Sequence, residues 1–356
     1  IINSTTNQLR MTSKKNTTII FTLLPVLIVV LFLINLWYGS VNIGWLDVLN
    51  TLFSNEGVKS ASNIIILQYR LPQAITAISV GMGLSIAGLL LQTTFNNPLA
   101  GPSVLGISAG ASLGVALLVL LGGVAGLQIS GTIALLGDMA IVIAAFGGAL
   151  AVLLIIIFVS GKVGNAVTVL IIGIMIGYLV SAIVGTMQFF SNSEDLHAFI
   201  LWGLGSFSKT SIFQSVSIFL VTIVFFAAIM IFVKPLNALL LGHQYAVSSG
   251  FNVKVMQTIF ILISGFLIAL GTAFTGPIAF IGLAVPHIAR SIFKTSNHAV
   301  LVPAVVLIGA ALALGCNFIS KLPGYDASLP INAVTSIVGA PIVIWVIIKG
   351  RRMSNA

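Results

Sequence analysis

The chain is 356 residues long, 58% hydrophobic and only 6% charged, with a formal net charge of +9. Soluble domains average about 25% charged residues. Here 21 charged side chains (15 basic plus 6 acidic) cannot cover a soluble surface of this size, so a soluble globular protein is excluded. A disordered chain, which needs low hydrophobicity and high charge, is excluded too. The mean hydropathy of +1.19 points to a polytopic membrane protein. A transmembrane β-barrel would show alternating segments of about 10 residues. These runs are longer and apolar all round, which predicts an all-α protein. The 35 glycines fit helices packed closely in a bilayer.

Residues 1–18 are predicted to be a polar tail. Arg10, Lys14 and Lys15 ahead of the first apolar run, 19–38, resemble a signal peptide. The run ends in Leu36-Trp37-Tyr38 without a small-residue cleavage site, so an uncleaved first span is expected, with Met11 as a candidate start. Nine further apolar runs follow, at 72–93, 103–121, 132–159, 166–190, 212–232, 255–274, 277–292, 299–319 and 329–348. A helix needs about 20 residues to cross the hydrocarbon core, so ten transmembrane helices within 19–350 are predicted, followed by a tail at 351–356. The eighth is short and contains Pro286, which is expected to kink or end it and to leave His287 and Arg290 near the inner face. Ahead of the third run, Pro98 and Pro102 lack an amide donor, so Asn97, Pro98, Leu99 and Pro102 are predicted to form a shaped loop. Protein must shield that loop if it enters the bilayer.

With the N-terminus in the cytoplasm, the inner side carries Arg10, Lys14, Lys15, Lys162, Lys234, Lys254, Arg290, Lys294, Lys349, Arg351 and Arg352. The outer side carries Lys59, Arg70, Lys209 and Lys321, so the count is 11 against 4. That is the direction of the positive-inside rule, and it predicts both termini in the cytoplasm. All six acids, among them Glu56, Asp138 and Asp326, fall on or towards the outer side.

Several chemistries are missing from the sequence. The nearest string to a P-loop, Gly161-Lys162-Val163, lacks the upstream glycine and the hydroxyl residue. The four histidines have no metal-ligand spacing, and Cys316 lies alone in an apolar run, so no metal site is predicted. No span centre carries a charge of the kind that proton- and sodium-coupled carriers use. What remains is a pathway that another component powers.

Three stretches are more specific than generic membrane sequence. The first is Arg70-Leu71-Pro72 with Gly81 to Gly88, Gln92, Asn97-Pro98-Leu99-Ala100 and Leu105-Gly106. The second is Trp202-Gly203-Leu204-Gly205-Ser206-Phe207, whose Trp202 is expected to anchor at the outer interface. The third runs from Gly276-Pro277-Ile278-Ala279-Phe280 through Pro286-His287-Ile288-Ala289-Arg290. Together they resemble the permease subunits of ABC importers for iron chelates and cobalamin, the FecCD-type family.

The resemblance implies ten helices per subunit, two permease subunits around one path, two cytoplasmic ATPase subunits that bind ATP and Mg, and an outer substrate-binding protein. It implies no cofactor on this chain, no catalytic residue, and a bacterial cell-membrane location. The loop 240–253 matches the family's ATPase-coupling segment, with Leu241, Gly242, His243, Ala246, Gly250 and Phe251 as its candidate residues and a short helix expected between the two glycines. The outer face departs from the family pattern. Gln73, Asn317 and Lys321 stand where the family often has Arg, Asp and Arg. Arg70 and Lys321 keep positive charge and are the expected docking cations for the binding protein. The charge lost at Gln73 favours a heterodimer with a different permease subunit. The implied cargo is a ferric siderophore, with haem or cobalamin as the alternative within the family and a stand-alone carrier or channel as the rival class. No nucleic-acid partner is expected.

Overall fold

A computed structural model of the chain describes residues 2–53, 61–124, 137–163, 166–321 and 328–354. Glu56, Lys59, Pro323, Gly324, Asp326, the 132–136 start of the predicted fourth run and the last two residues of the C-terminal tail lie outside them. The described residues form helices joined by turns, with no strand among them. The helices are α1 (Ile2–Trp37), α2 (Trp45–Phe53), α3 (Ala61–Ile64), α4 (Leu71–Thr94), α5 (Ile107–Val124), α6 (Asp138–Lys162), α7 (Ala166–Phe190) and α8 (Ser193–Gly203). There follow α9 (Ile212–Ile231), α10 (Val233–Leu240), α11 (His243–Ser248), α12 (Val253–Thr275), α13 (Ile281–Phe293), α14 (His298–Ser320) and α15 (Ile331–Ser354). A π-helical turn, Ile65–Arg70, joins α3 to α4 without a break.

Seven of the described segments are long and apolar enough to cross a membrane, and three shorter apolar helices accompany them, Ile107–Leu120, Ile281–Phe293 and Ile331–Trp345. Each of the ten predicted apolar runs falls on one of these. The third and eighth start later than predicted. A 3-10 turn, Pro102–Leu105, and left-handed Gly106 precede α5. Residues 276–280 form an irregular segment before α13 begins at Ile281.

Helix α4 is the axis of the fold. In the stretch Ala61–Thr94, 89% of the most apolar window is buried, against 11% for Thr17–Trp37 and 22% for Val167–Phe190. Helices α9, α12, α13 and α14 pack around α4. Helix α1 leans on α14, and α5, α6 and α7 form a second group joined to the first through α12. The exposed apolar side chains of α1 and α7, such as Leu23, Val26, Met175 and Leu179, are those of a surface that faces lipid or another apolar partner.

Small residues set how close the neighbours come. Lipid tails are as apolar as leucine, so helices in a bilayer hold together by close contact and hydrogen bonds rather than by hydrophobic force. A methyl group added at Gly81 would overlap the Gly309 carbonyl of α14, and one at Gly88 would overlap the Gly282 carbonyl of α13. Pro286 explains the second contact. It has no amide hydrogen, so the Gly282 carbonyl four residues earlier has no donor within its helix. That carbonyl turns to the Cα of Gly88, a weak acceptor contact that glycine alone leaves room for. Of the two outcomes expected at Pro286, a kink or an end of span eight, the end does not occur. Helix α13 continues through it to Phe293.

Gly88→Val should lower stability by about 3 kcal/mol, read as a drop in the thermal unfolding midpoint in detergent. Gly185→Val on α7, where an added methyl meets nothing within 4 Å, should leave that midpoint nearly unchanged.

Candidate functional site

Polar side chains gather at the two ends of α4. Arg70 and Gln92 lie 22 positions apart (92 − 70), or about 33 Å along a helix. That is close to the thickness of the hydrocarbon core.

At the first end Arg70 is 5% exposed. Its Nη1 donates to the carbonyl of Leu36, at 2.9 Å, and to that of Trp37. Its Nη2 donates to the carbonyl of Val41. These groups lie at and just beyond the C-terminal end of α1, where helix carbonyls lack intrahelical donors and partial negative charge accumulates. Lys321 is 9% exposed, and its Nζ donates to Asn35 O at 2.9 Å. Burial first, and then the charge of Arg70, push its ammonium down to about 7. Neither cation is offered to solvent, so the expectation of two exposed docking charges gives way to a structural role. They hold the end of α1 against α4 and α14.

The same end explains the departures from the family pattern. Gln73 Nε2 donates to Asn317 Oδ1 at 3.0 Å, and Asn317 Nδ2 donates to Asn35 Oδ1 at 2.8 Å. Gln73 and Asn317 thus bond to each other as a neutral amide pair. Asn35 completes the cluster by donating to Leu31 O and Leu314 O. The sequence marks it as the lone amide inside the apolar run 19–38, a signal the motif reading passed over.

At the second end the loop and span-eight residues come together. Arg290 Nη1 donates to Gln92 Oε1 at 2.5 Å, and Gln92 Nε2 reaches Leu283 O at 3.3 Å. His287 Nε2 lies 2.8 Å from Pro98 O. Asn97 Oδ1 accepts from the Leu99 amide at 2.9 Å, and left-handed Asn96 turns the chain out of α4. Gly101 and Pro102 are buried, with Pro102 packed on Gly282. Protein thus covers one side of this irregular backbone, while Pro98 and Leu99 stay exposed. Asn237 and His298 also join this end and were missed, because their spacing in sequence gives no sign of contact.

The extended segment before α13 is held in the same way. Ser206 N donates to Thr275 O at 2.8 Å, and Ala279 N donates to Asn332 Oδ1 at 3.1 Å. A methyl at Gly276 would overlap the Trp202 carbonyl, and Phe280, in the left-handed region, rests on Gly339 of α15. Trp202 is 5% exposed rather than an interface anchor, and its ring lies beside Phe199. It borders a small cavity of about 40 Å³ with Asp138, Ser206, Lys209 and Phe274.

The segment 240–253 contains the expected short helix, α11, between Gly242 and Gly250. Both glycines have positive φ, 110° and 86°. Ala246 is fully buried and points into the protein, while Leu241, His243, Gln244, Tyr245 and Val247 face outwards. Phe251 is half-buried, and its amide donates to Ala246 O at 3.1 Å. Ala246 is therefore spent inside the protein, whereas Gly250 is exposed and turns the chain at the end of the helix. They shape the helix, and its apolar outer side chains form the free face.

The FecCD transport family model matches residues 27–349. The chain belongs to the FecCD transport family. A hemin transport system permease protein of Yersinia pestis is 33% identical over 330 residues, covering 91% of this chain and 95% of that protein. A vitamin B12 import system permease protein of Escherichia coli is 33% identical over 289 residues, covering 81% and 85%. An ABC transporter permease protein of Methanocaldococcus jannaschii is 32% identical over 319 residues, covering 86% and 89%. Among solved structures, an inward-facing metal-chelate type ABC transporter aligns with a TM-score of 0.79 and 26% identity, covering 93% of this chain and 99% of that one. This FecCD chain is a multi-pass membrane protein of a transport family. The three stretches that carry the resemblance touch one another. Gly88 and Pro102 meet Gly282, and Gly205 and Trp202 meet Gly276.

Two measurements follow. Arg70→Met should cost about 3 kcal/mol by stranding buried carbonyls, seen as a lower unfolding midpoint; a docking charge on a free rim would leave that midpoint in place. Gln73→Arg and Asn317→Asp should each destabilise alone, and the double variant should recover about 1 kcal/mol or more of coupling in a double-mutant cycle.

Proposed function

We propose that this chain is the transmembrane permease subunit of an ABC importer that takes a metal chelate from an outer binding protein. The observation that carries this is the convergence of the three family stretches on α4 and α13, with the outward-facing α11 as a free surface near the second end. Ten membrane crossings follow from the ten apolar runs and cytoplasmic termini from the charge count, which puts the Gln92 end and α11 on the inner side. Two ATPase subunits with ATP and Mg would dock on the apolar face of Leu241, Tyr245 and Val247.

Hemin is an iron chelate and vitamin B12 a cobalt chelate, so a metal chelate is the chemistry common to the named relatives. An iron(III)-siderophore is the cargo proposed here. A second permease subunit completes the path, and a different chain is favoured over a second copy.

The test is uptake into proteoliposomes that hold this chain, a second permease, the ATPase pair and the binding protein. Iron-siderophore should accumulate with ATP and should fail to accumulate when the ATPase is omitted. Accumulation by this chain alone would overturn the importer reading, and preferential uptake of haem or cobalamin would overturn the cargo. Tyr245→Asp with Val247→Asp should lower ATPase association at least tenfold in a pull-down or binding assay, because two charges would then be buried in an apolar contact. Gly250→Ala should act otherwise, costing about 1 kcal/mol of local stability through its positive φ.

A further inference from the structure

His298 opens α14 and is fully buried. Its two ring nitrogens face different elements. Nδ1 lies 2.9 Å from Asn237 Oδ1 on α10, and Nε2 lies 2.8 Å from Thr93 Oγ1 on α4. The orientation of the Asn237 amide is fixed by its other bonds. Its Oδ1 accepts from the His298 backbone amide at 2.8 Å, and its Nδ2 donates to Asn297 Oδ1 at 2.9 Å. An oxygen therefore faces Nδ1, so Nδ1 carries the proton. In the neutral ring Nε2 is then an acceptor, and the donor is the Thr93 hydroxyl.

That hydroxyl has one proton and a second acceptor within reach, Leu89 O at 2.9 Å in its own helix. It can bond across to His298 or back onto α4, which is a two-state element of the kind that coupling between sites requires. Asn237 stands one turn before Leu241, and Gly242 N donates to Leu239 O at 3.1 Å, so α10 leads directly into α11. On the other side, Thr93 follows Gln92, which holds Arg290, and precedes the loop that His287 touches.

We infer that His298 is a positioning residue that links α11 to the central helix α4 through Asn237 and Thr93, so that ATPase engagement at α11 changes the packing of α4. This rests on the proposal that α11 is the ATPase-coupling face. No residue of the three touches cargo. Their role is to transmit displacement.

Thr93→Val, close in shape, removes the hydroxyl's bond to His298 together with its bond to Leu89 O in its own helix. His298→Asn keeps a donor near the Nδ1 position and loses the reach to Thr93. In the full reconstituted importer, both variants should lower the amount of chelate moved per ATP hydrolysed by roughly tenfold. ATP hydrolysis in the absence of binding protein, subunit assembly and the unfolding midpoint should stay near wild type. The double variant should be no worse than either single variant, because both cut one link. Wild-type transport per ATP in both variants would overturn the inference, as would a loss matched by lower assembly or a lower midpoint. A wild-type importer that hydrolyses ATP without moving chelate would strike the permease proposal itself, whereas normal coupling in the wild type and in both variants strikes this inference alone.

Discussion

The close approach of backbones along α4 is the constraint on which the rest of the molecule depends. Ala74, Ala77, Ser79, Gly81, Ser85, Ala87 and Gly88 keep this helix narrow, and it is buried along most of its length. In a bilayer no hydrophobic force draws one apolar helix to another, so stability comes from contact area and from hydrogen bonds that lipid cannot supply. The Gly81 and Gly88 contacts bring α14 and α13 to backbone distance. Once those two helices are placed, their ends fall where polar groups can meet: Arg290 on Gln92, His298 on Thr93, Asn317 on Gln73.

The polar clusters also account for irregular backbone in an apolar fold. Residues 277–280 lie between two helices, outside either ladder, and lipid offers their polar groups nothing. Asn332 supplies an acceptor for Ala279, and the Trp202–Phe207 stretch lies against Gly276. The stretch 95–106 is treated in the same way by His287 and its own turns. Backbone that is free of a helix and shaped by neighbours can rearrange more readily than a continuous span. The two irregular stretches flank the same contact, Gly88 with Gly282 and Pro102. A change at the second end of α4 therefore has a short mechanical route into the middle of the bundle.

Buried cations at the first end show how position changes the meaning of a charge. In sequence, Arg70 and Lys321 stand at the edges of apolar runs with no acid close by, which reads as an unpaired rim charge. In three dimensions their partners are backbone carbonyls at the end of α1. A carbonyl leaves no mark in a sequence, so a cation that binds one cannot be told from a free one. Gln73 and Asn317 illustrate the same limit: they lie 244 positions apart, and only the fold shows that their amides bond to each other.

Composition and motif order by themselves determined the class of this protein: helical, apolar, assigned to a transport family, and with α11 in its place between two glycines. Those features are local, since hydropathy, charge bias and glycine's tolerance of positive φ act within a few residues. Tertiary structure alone decided which polar groups are spent inside the protein and which remain for partners. It buried Trp202, Arg70, Lys321 and Ala246, continued α13 past Pro286, and joined Asn237, His298 and Thr93. The physical reason is that hydrogen bonding and burial depend on what faces a side chain across the bundle, and in a ten-run chain those neighbours are set by helix packing at glycine contacts far apart in sequence.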